Sequence, residues 1–372
     1  MTFRGTIGRI AMLFFGLFPI QNKIVFSSFD GKNFGDNPKA IFEELRAQGI
    51  KSKLIWFMYD DSLGIDGADV VKAYSMKALY HQATAKVWIF NSRQRYWMKK
   101  RKGQLYSQTW HGGLCLKKIE GDAENKLPKY YIDEAKHDSQ MADYLVSASE
   151  WNTKQYRRAF WYSGKIIEQG LPRSDVFFNN DETYKEKIIS SLGANDSKIV
   201  LYAPTFRNDG DYDYLNIDSE RILRILEKKW PGRWILVYRL HPNIQRDRTR
   251  RDFSKKIIDG SDYPDINDLV IVSELLITDY SSCMFDALEM GKKTILYTPD
   301  YQEYCDERGT YFTLNELPFP HSFSSDELIE AIAQFDEATY LKKRKIFLDE
   351  CKSFNSGTAS KEIVKIIVEH LR

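Results

Sequence analysis

His111 is the residue of this sequence best placed to move a proton. It follows the apolar run Leu105–Thr109 and is followed by two glycines, of which Gly112 is the first. Glycines beside a histidine at the end of a strand leave room for a substrate to approach the ring. An unperturbed imidazole has a pKa of about 6.5, which suits a general base near neutral pH. We therefore predict that His111 acts as a base.

Arg239 and His241 form a second polar cluster at the end of the apolar run Trp234–Leu240. Pro242 comes next, so the backbone is expected to turn there. Residues two apart on a strand share a face, and a guanidinium can hold two phosphate oxygens at once. The pair therefore predicts a contact with a phosphate group.

A third cluster lies between a predicted buried strand, Leu275–Thr278, and a helical pattern that begins at Cys283. It contains Asp279, Ser281 and Ser282. A helix start offers free backbone N–H groups and the positive end of a dipole, which favour a phosphate. The carboxyl end of a strand in an open α/β sheet is also where ligands bind. The alternative is that one of the serines only caps the helix.

Thr205, Arg207 and Arg173 also stand after apolar runs. A single histidine or arginine at the end of a strand is more often structural than catalytic. Several such clusters, all at the carboxyl ends of predicted strands, are better explained by one ligand that carries more than one phosphate. Asp211 and Asp213 have the spacing of a metal-binding pair but lie in a polar loop, so we expect no metal and no cofactor.

The charge balance and the missing motifs argue against several classes of protein. Lys and Arg total 54 against 52 for Asp and Glu, a net charge of +2, which is too balanced for a protein that coats nucleic acid. The sequence has no Walker A motif and no Gly-x-Gly-x-x-Gly motif after its first strand, so neither an NTPase nor a simple dinucleotide oxidoreductase is favoured. Its four cysteines are scattered, unlike those of a zinc site or a disulfide scaffold.

Short apolar runs alternate with amphipathic helical patterns, which is typical of parallel sheets flanked by helices. At 372 residues the chain is longer than one hydrophobic core usually holds. We predict an α/β protein with two doubly wound domains, residues 23–178 and 179–372, and a ligand cleft between them. The predicted strands are Lys23–Phe29, Lys53–Met58, Lys86–Asn91, Leu105–Thr109, Tyr144–Ser147, Lys165–Gln169, Lys198–Tyr202, Trp234–Leu240, Ile257–Ile258, Leu275–Thr278 and Thr294–Tyr297.

Residues 1–22 form a separate N-terminal segment. Its apolar run Ile10–Ile20 has eleven residues, well short of the ~20 that span a bilayer. Basic residues precede the run, as in a signal peptide, but no small-residue cleavage site follows. We predict a short helix that lies on the membrane surface; the alternative is a first helix packed on the protein's own core. The basic run Lys99–Lys102 could contact anionic lipid or form a solvated loop.

With these motifs the chain resembles the bacterial CDP-glycerol glycerophosphotransferases, the teichoic acid primase and polymerase group. The similarity extends from Phe26-Ser-Ser-Phe-Asp-Gly-Lys32 to Gly309-Thr-Tyr-Phe312. The motifs that carry it are Gln108-Thr-Trp-His-Gly112, Tyr156-Arg-Arg-Ala-Phe160, Gly170-Leu-Pro-Arg-Ser-Asp175, Ala203-Pro-Thr-Phe-Arg207, Arg239-Leu-His-Pro242, Thr278-Asp-Tyr-Ser-Ser282 and Met284-Phe-Asp286.

The resemblance implies a GT-B fold, in which two Rossmann-like domains face a central cleft, the first for the acceptor and the second for the CDP-linked donor. It implies transfer of glycerol phosphate from CDP-glycerol to a hydroxyl of a membrane-linked teichoic-acid-like or capsular acceptor, with release of CMP, at the cytoplasmic face of the membrane. His111 would be the base, and His241 with Arg239 would face the diphosphate. Resemblance and position assign the phosphates to Thr205, Arg207, Arg239, Asp279, Ser281 and Ser282, and the acceptor to Gly112 and Arg173.

Three alternatives stay open. The loop after His111 reads Gly-Gly-Leu-Cys-Leu-Lys where many family members have Gly-Thr-Pro-Leu-Lys, so the donor could be CDP-ribitol. A GT-B glycosyltransferase that uses a nucleotide sugar would need the same architecture and similar phosphate contacts. The third alternative is a membrane-surface scaffold or a nucleotide-binding module without catalysis. The sequence is compatible both with one transfer per acceptor and with chain extension.

Overall fold

The computed structural model describes residues 3–179, 181–207, 213–240 and 255–372. The chain divides into two compact units. The first consists of Met1–Gly113, Ile119–Asn179 and Lys352–Arg372, and the second of Leu114–Lys118 and Asn180–Cys351.

The first unit is built on a parallel sheet in which seven described strands have the order β3-β2-β1-β4-β5-β6-β7. Its central strands carry apolar side chains on both faces, because helices cover both sides of a doubly wound sheet; Ile24, Val25 and Phe26 are fully buried. The strands are β1 (Gln21–Ser27), β2 (Lys53–Met58), β3 (Asp69–Lys72), β4 (Ala85–Phe90), β5 (Leu105–Gln108), β6 (Tyr144–Val146) and β7 (Lys165–Ile167). The helices before residue 179 are α1 (Phe3–Phe15), α2 (Asp36–Ala47), α3 (Met76–Thr84), α4 (Lys129–Met141) and α5 (Glu150–Ala159).

The second unit has the same plan, with six described parallel strands in the order β10-β9-β8-β11-β12-β13. The strands are β8 (Lys198–Ala203), β9 (Trp234–Tyr238), β10 (Ile257–Asp259), β11 (Leu275–Thr278), β12 (Lys293–Tyr297) and β13 (His321–Ser322). The helices are α6 (Glu182–Ser191), α7 (Ser219–Lys229), α8 (Ile266–Val272), α9 (Cys283–Glu289), α10 (Tyr301–Arg308), α11 (Ser325–Gln334) and α12 (Glu337–Cys351). All eleven strands predicted from the sequence are present, each within two residues at either end. The short strands β3 and β13 were not predicted.

The last helix, α13 (Ala359–Leu371), belongs to the first unit, although the predicted boundary at residue 179 placed it in the second. Ile363 and Ile367 are buried in the core of the first unit. Asp175 fixes the start of the helix, because its carboxylate accepts hydrogen bonds from the backbone N–H groups of Ala359 (2.9 Å) and Ser360 (2.7 Å). An amphipathic pattern shows that one helix face is buried, but it does not show against which sheet.

Helix α1 has apolar side chains both in the core and on the surface. Ala11 and Met12 are buried in a core cluster with residues of α3. Leu13, in contrast, is 63% exposed, and Leu17, two residues beyond the end of the helix, is 81% exposed. Within the described ranges, no helix is long and apolar enough to cross a bilayer. The N-terminal segment therefore packs on the protein's own core and still leaves an apolar face in solvent.

Replacing Ile367 by alanine is expected to lower the free energy of unfolding by about 2–5 kcal/mol, because a buried side chain of α13 would leave a cavity. Lys365→Ala, on the exposed face of the same helix, is the matched control and should change it by less than about 0.5 kcal/mol. Chemical denaturation of both variants measures the difference. Equal, small effects would contradict the place of α13 in the core of the first unit.

Candidate active site

The His111 ring is held by one hydrogen bond that decides which of its nitrogens can take up a proton. His111 follows β5, and its Nδ1 lies 2.8 Å from the main-chain oxygen of Asn91, which follows the neighbouring strand β4. A carbonyl oxygen can only accept, so Nδ1 carries the hydrogen and donates it. In the neutral imidazole Nε2 is then unprotonated and can act as a base.

The surroundings of His111 favour the neutral ring. Burial lowers the pKa of the His111 imidazole below its ordinary value; the hydrogen bond to Asn91 and the charge of Asp36 oppose this, and the charge of Arg173 adds to it. Lowering the pKa favours the unprotonated form at neutral pH. The ring is therefore ready to accept a proton at pH 7.

Trp110 holds the ring from one side. Its backbone is in the left-handed region with φ of 54°, which is rare for a bulky residue and is sustained only by fixed partners. The Gln108 side chain accepts from the backbone N–H of Trp110 (2.9 Å), and Asn37 Nδ2 donates to its main-chain oxygen (3.0 Å). The indole stacks on the His111 ring with centroids 4.2 Å apart.

A buried ionic network lies behind this loop. The Arg93 side chain, 5% exposed, forms ion pairs with Glu120 (3.2 Å) and Asp138 (3.1 Å). Asp138 also accepts from Gln108 Nε2 at 3.1 Å, and the Arg93 guanidinium lies 5.3 Å from the centroid of the Trp110 ring. Buried ion pairs add little net stability, but they hold one arrangement because breaking them leaves a charge uncompensated. The network therefore fixes the loop that bears His111.

Asn91 connects His111 to a second strained turn. Its Oδ1 accepts from the backbone N–H of Phe29 at 2.7 Å. Phe29 and Asp30 both have left-handed φ angles, 46° and 63°. The Phe29 ring lies 5.6 Å from the His111 ring, centroid to centroid. Sequence reasoning missed Asn91, although its place at the carboxyl end of a predicted strand was a usable signal.

The two residues predicted to contact the acceptor belong to the same unit as His111. Arg173 is in an ion pair with Asp36 (3.3 Å), and its backbone N–H donates to the Asn37 side chain (3.1 Å). Gly112 is buried, and its main-chain oxygen accepts from the Tyr156 hydroxyl at 2.9 Å. Asn37 thus links Arg173 to the Trp110 loop. Acceptor contacts by Arg173 and Gly112 remain predictions.

In the second unit, Thr205, Arg207 and Asp279 lie together. Asp279 accepts from the backbone N–H (2.9 Å) and the hydroxyl (3.0 Å) of Thr205. The Arg207 side chain is 6% exposed and forms ion pairs with Asp279 (2.8 Å) and Asp300 (2.5 Å). Tyr280 also donates its hydroxyl hydrogen to Asp300 at 2.9 Å. In this structure Arg207, which follows β8, therefore joins its own loop to the loops that follow β11 and β12. Direct phosphate binding by Thr205, Arg207 and Asp279 stays a prediction.

The remaining predicted phosphate contacts have different surroundings. Ser281 and Ser282 are partly exposed directly before α9. Arg239 follows β9 and donates through Nη1 to the main-chain oxygens of Ser261 (2.7 Å) and Leu240 (3.0 Å). His241 lies outside the described residues, as does Asp211 of the excluded metal pair. The described ranges contain no group of three His, Cys, Asp or Glu residues that could hold a metal ion.

Comparisons with known proteins agree with these motifs. Residues 10–369 match the family CDP-Glycerol:Poly(glycerophosphate) glycerophosphotransferase. The chain is 36% identical to a teichoic acid glycerol-phosphate transferase of Staphylococcus aureus over 94% of its length and 93% of the relative's. It is 32% identical to a teichoic acid poly(glycerol phosphate) polymerase of Bacillus spizizenii over 98% of both chains. A teichoic acid ribitol-phosphate polymerase of Staphylococcus aureus is more distant, at 26% over 92% of this chain and 62% of that protein.

The solved structure of the wall teichoic acid polymerase TagF is similar over nearly the whole chain. It has a TM-score of 0.86 and 29% identity, and the match covers 99% of this chain and 97% of that one. The match and the two parallel sheets confirm the predicted fold class, α/β and GT-B-like with two Rossmann-like units.

Nuclear magnetic resonance of the histidine ring nitrogens should show His111 with the hydrogen on Nδ1 and a pKa below about 6.5, since burial disfavours the imidazolium. The charged form should therefore appear only at more acidic pH than for a histidine in water. A neutral ring protonated on Nε2, or a pKa above the ordinary value, would contradict the geometry.

Asn91→Asp is expected to raise the pKa of His111, because it adds a carboxylate to the residue whose main-chain oxygen binds the ring and thereby favours the imidazolium. The same resonance titration measures the shift. Asn22→Asp is the matched control, since Asn22 is exposed at the amino end of β1, away from the strand ends that bear His111. An unchanged His111 titration in Asn91→Asp would show that the Asn91 side chain has no electrostatic influence on the ring.

Proposed function

Because the chain belongs to the CDP-glycerol:poly(glycerophosphate) glycerophosphotransferase family, we propose that it transfers glycerol phosphate from CDP-glycerol to a hydroxyl of a membrane-linked acceptor, teichoic-acid-like or capsular, and releases CMP. The observation that carries the proposal is the His111 ring, with its pKa lowered by burial and its Nε2 left to act as a base.

The chemical step needs one proton transfer and one displacement at phosphorus. The acceptor hydroxyl gives its proton to Nε2 of His111, and its oxygen attacks the β-phosphorus of CDP-glycerol. The bond from that phosphorus to the oxygen it shares with the α-phosphate breaks, and that oxygen leaves as part of CMP. No covalent enzyme intermediate is required, because such transfer depends mainly on positioning and on charge stabilisation.

The second unit is assigned to the donor. Ser281 and Ser282 offer hydroxyls at the end of β11, and Arg239 with His241 is assigned to the charge that develops on CMP. Arg207 neutralises Asp279, a carboxylate that would otherwise repel phosphate at this strand end. In this scheme the ion pair between Arg207 and Asp279 orders the loop after β8, and the hydrogen bonds to Asp279 fix Thr205 in that loop.

The first unit is assigned to the acceptor. Arg173 offers a positive charge in the surroundings of His111, and its ion pair with Asp36 keeps the guanidinium in place. Gly112 has no side chain, which leaves space for an acceptor beside the base. A phosphodiester of the acceptor would suit the Arg173 guanidinium.

Glycerol is favoured over ribitol as the polyol. A glycerol-phosphate transferase and three poly(glycerol phosphate) polymerases are 31–36% identical to this chain, against 26–29% for three ribitol-phosphate polymerases and 28% for a glycerol-phosphate primase. Peripheral attachment at the cytoplasmic face of the membrane is part of the proposal, and the exposed apolar face of α1 supports it.

His111→Ala is expected to lower the single-turnover rate of CMP release by about 10²–10⁴, the usual contribution of a general base, while CDP-glycerol still binds. Rapid-quench measurement with membrane extract as the acceptor gives the rate. His370→Ala, on α13, is the matched control and should keep the wild-type rate. A near-normal rate in His111→Ala would remove His111 from the role of base.

Incubation with CDP-glycerol, CDP-ribitol and a panel of nucleotide sugars tests the reaction itself. Acceptor-dependent CMP release from CDP-glycerol alone is expected, with a new phosphodiester in the product. Turnover of CDP-ribitol instead would identify the closely related ribitol enzyme. Turnover of a nucleotide sugar without phosphodiester formation would overturn the proposed reaction.

A further inference from the structure

A cavity of about 620 Å³ lies in the first unit between α1 and the loop that precedes β5. One wall is apolar and includes Met12, Leu13 and Leu17. The basic run Lys99–Lys102 and Arg9 also line the cavity. We call this cavity the α1 groove. A lining that combines apolar side chains with cations suits a ligand that has both an apolar part and a negative charge.

The apolar wall continues onto the exposed face of α1. Ile10, Leu13 and Phe14 of α1 and Leu17 just beyond its end are between 56% and 81% exposed, and Leu13 and Leu17 also line the groove. A helix that lies in a membrane interface buries its apolar face about 5–10 Å into the boundary between headgroups and acyl chains. In that position the exposed face of α1 would bring the groove to the level of the headgroups.

Two cations of the basic run Lys99–Lys102 hold this run in place. Arg101 Nη1 donates to the main-chain oxygens of Phe18 (2.9 Å) and Ala83 (3.0 Å), and Lys100 forms an ion pair with Asp143. The Trp97 ring packs so closely on α1 that a Cβ added at Gly8 would lie 2.8 Å from it. The groove therefore has walls fixed by contacts within the first unit.

Three cations of the groove keep their charge available for a ligand. Lys99, Lys102 and Arg9 are exposed, and none of them forms an ion pair with any residue in the described ranges. Positive charges beside an apolar wall favour a ligand whose negative group is joined to hydrocarbon. A nucleotide or free phosphate would leave the apolar wall unused, and a purely apolar ligand would leave the cations without a partner.

We propose that the α1 groove binds the headgroup of one anionic glycerophospholipid, with the lipid phosphate at Lys99, Lys102 and Arg9 and the acyl chains along Leu13 and Leu17. The volume is within the range of sites that enclose small ligands. The inference rests on the proposed membrane attachment and goes beyond it, because it assigns a discrete lipid site of defined stoichiometry.

Titration with a soluble short-chain lipid tests the site without a membrane. Dihexanoyl-phosphatidylglycerol, kept below its micelle concentration, should bind the wild-type protein with one molecule per chain. Dihexanoyl-phosphatidylcholine should bind at least tenfold more weakly, since its headgroup has no net charge. The double variant Lys99→Gln/Lys102→Gln should lose at least tenfold in affinity for dihexanoyl-phosphatidylglycerol and melt at the wild-type temperature.

The matched control is Lys129→Gln/Lys154→Gln, which removes the same charge from exposed lysines of the first unit outside the groove. It should bind dihexanoyl-phosphatidylglycerol with the wild-type affinity. An equal loss in the control, equal binding of both lipids, or full competition by millimolar inorganic phosphate would overturn the site. Binding of a polyprenyl diphosphate in place of the phospholipid would overturn its assigned ligand.

Sedimentation with vesicles separates this inference from the proposed function. Wild-type protein should bind vesicles that contain phosphatidylglycerol more strongly than vesicles of phosphatidylcholine alone. Absence of any vesicle binding would refute the proposed membrane attachment. If Lys99→Gln/Lys102→Gln binds vesicles as the wild type does, and the wild type does not bind the monomeric lipid, the lipid site in the α1 groove is refuted but the membrane attachment is not. None of these measurements contains CDP-glycerol, so their outcome is independent of the transfer reaction.

Discussion

The hydrogen bond from His111 Nδ1 to the main-chain oxygen of Asn91 is the interaction on which the rest of the site depends. It determines that Nε2 is the nitrogen without a hydrogen in the neutral ring. The bond exists because β4 and β5 are parallel neighbours in the register Phe90 to Gln108, so that the residues following each strand lie at the same edge of the sheet. A shift of that register by one residue would turn the side chains to the opposite face and remove the proposed base from the site.

The two units use the same means to make a loop rigid behind a candidate site. In the first, Arg93 is buried between Glu120 and Asp138; in the second, Arg207 is buried between Asp279 and Asp300. Removing charges from water is costly, so such clusters are weak sources of stability. Their effect is conformational, because any other loop arrangement would leave a buried charge without its partner. Placing groups in advance of the reaction is what transfer at phosphorus requires of an enzyme.

Helix α1 shows how one short element can serve two environments. Its buried side chains, among them Met12, complete a core cluster, and its exposed ones, among them Leu13, extend the wall of the α1 groove. The sequence posed these as alternatives, a helix on the membrane or a helix on the protein's own core. A helix has enough circumference for both, because apolar residues spread over two faces can pack against the core on one and face the interface on the other.

The sequence by itself determined eleven of the thirteen described strands, the α/β class and the family, and it indicated His111 as the candidate base, because apolar runs, helical periodicity and the residues that follow a strand are local signals. Only the tertiary structure decided that α13 completes the first unit, that Arg207 is held by Asp279 and Asp300, and that Asn91 positions His111. The partners in these contacts are far apart in the chain, by 93 residues for Arg207 and Asp300 and 184 for Asp175 and Ala359. Pairing at such separations leaves no periodic trace, since it depends on which strand ends the sheet brings side by side.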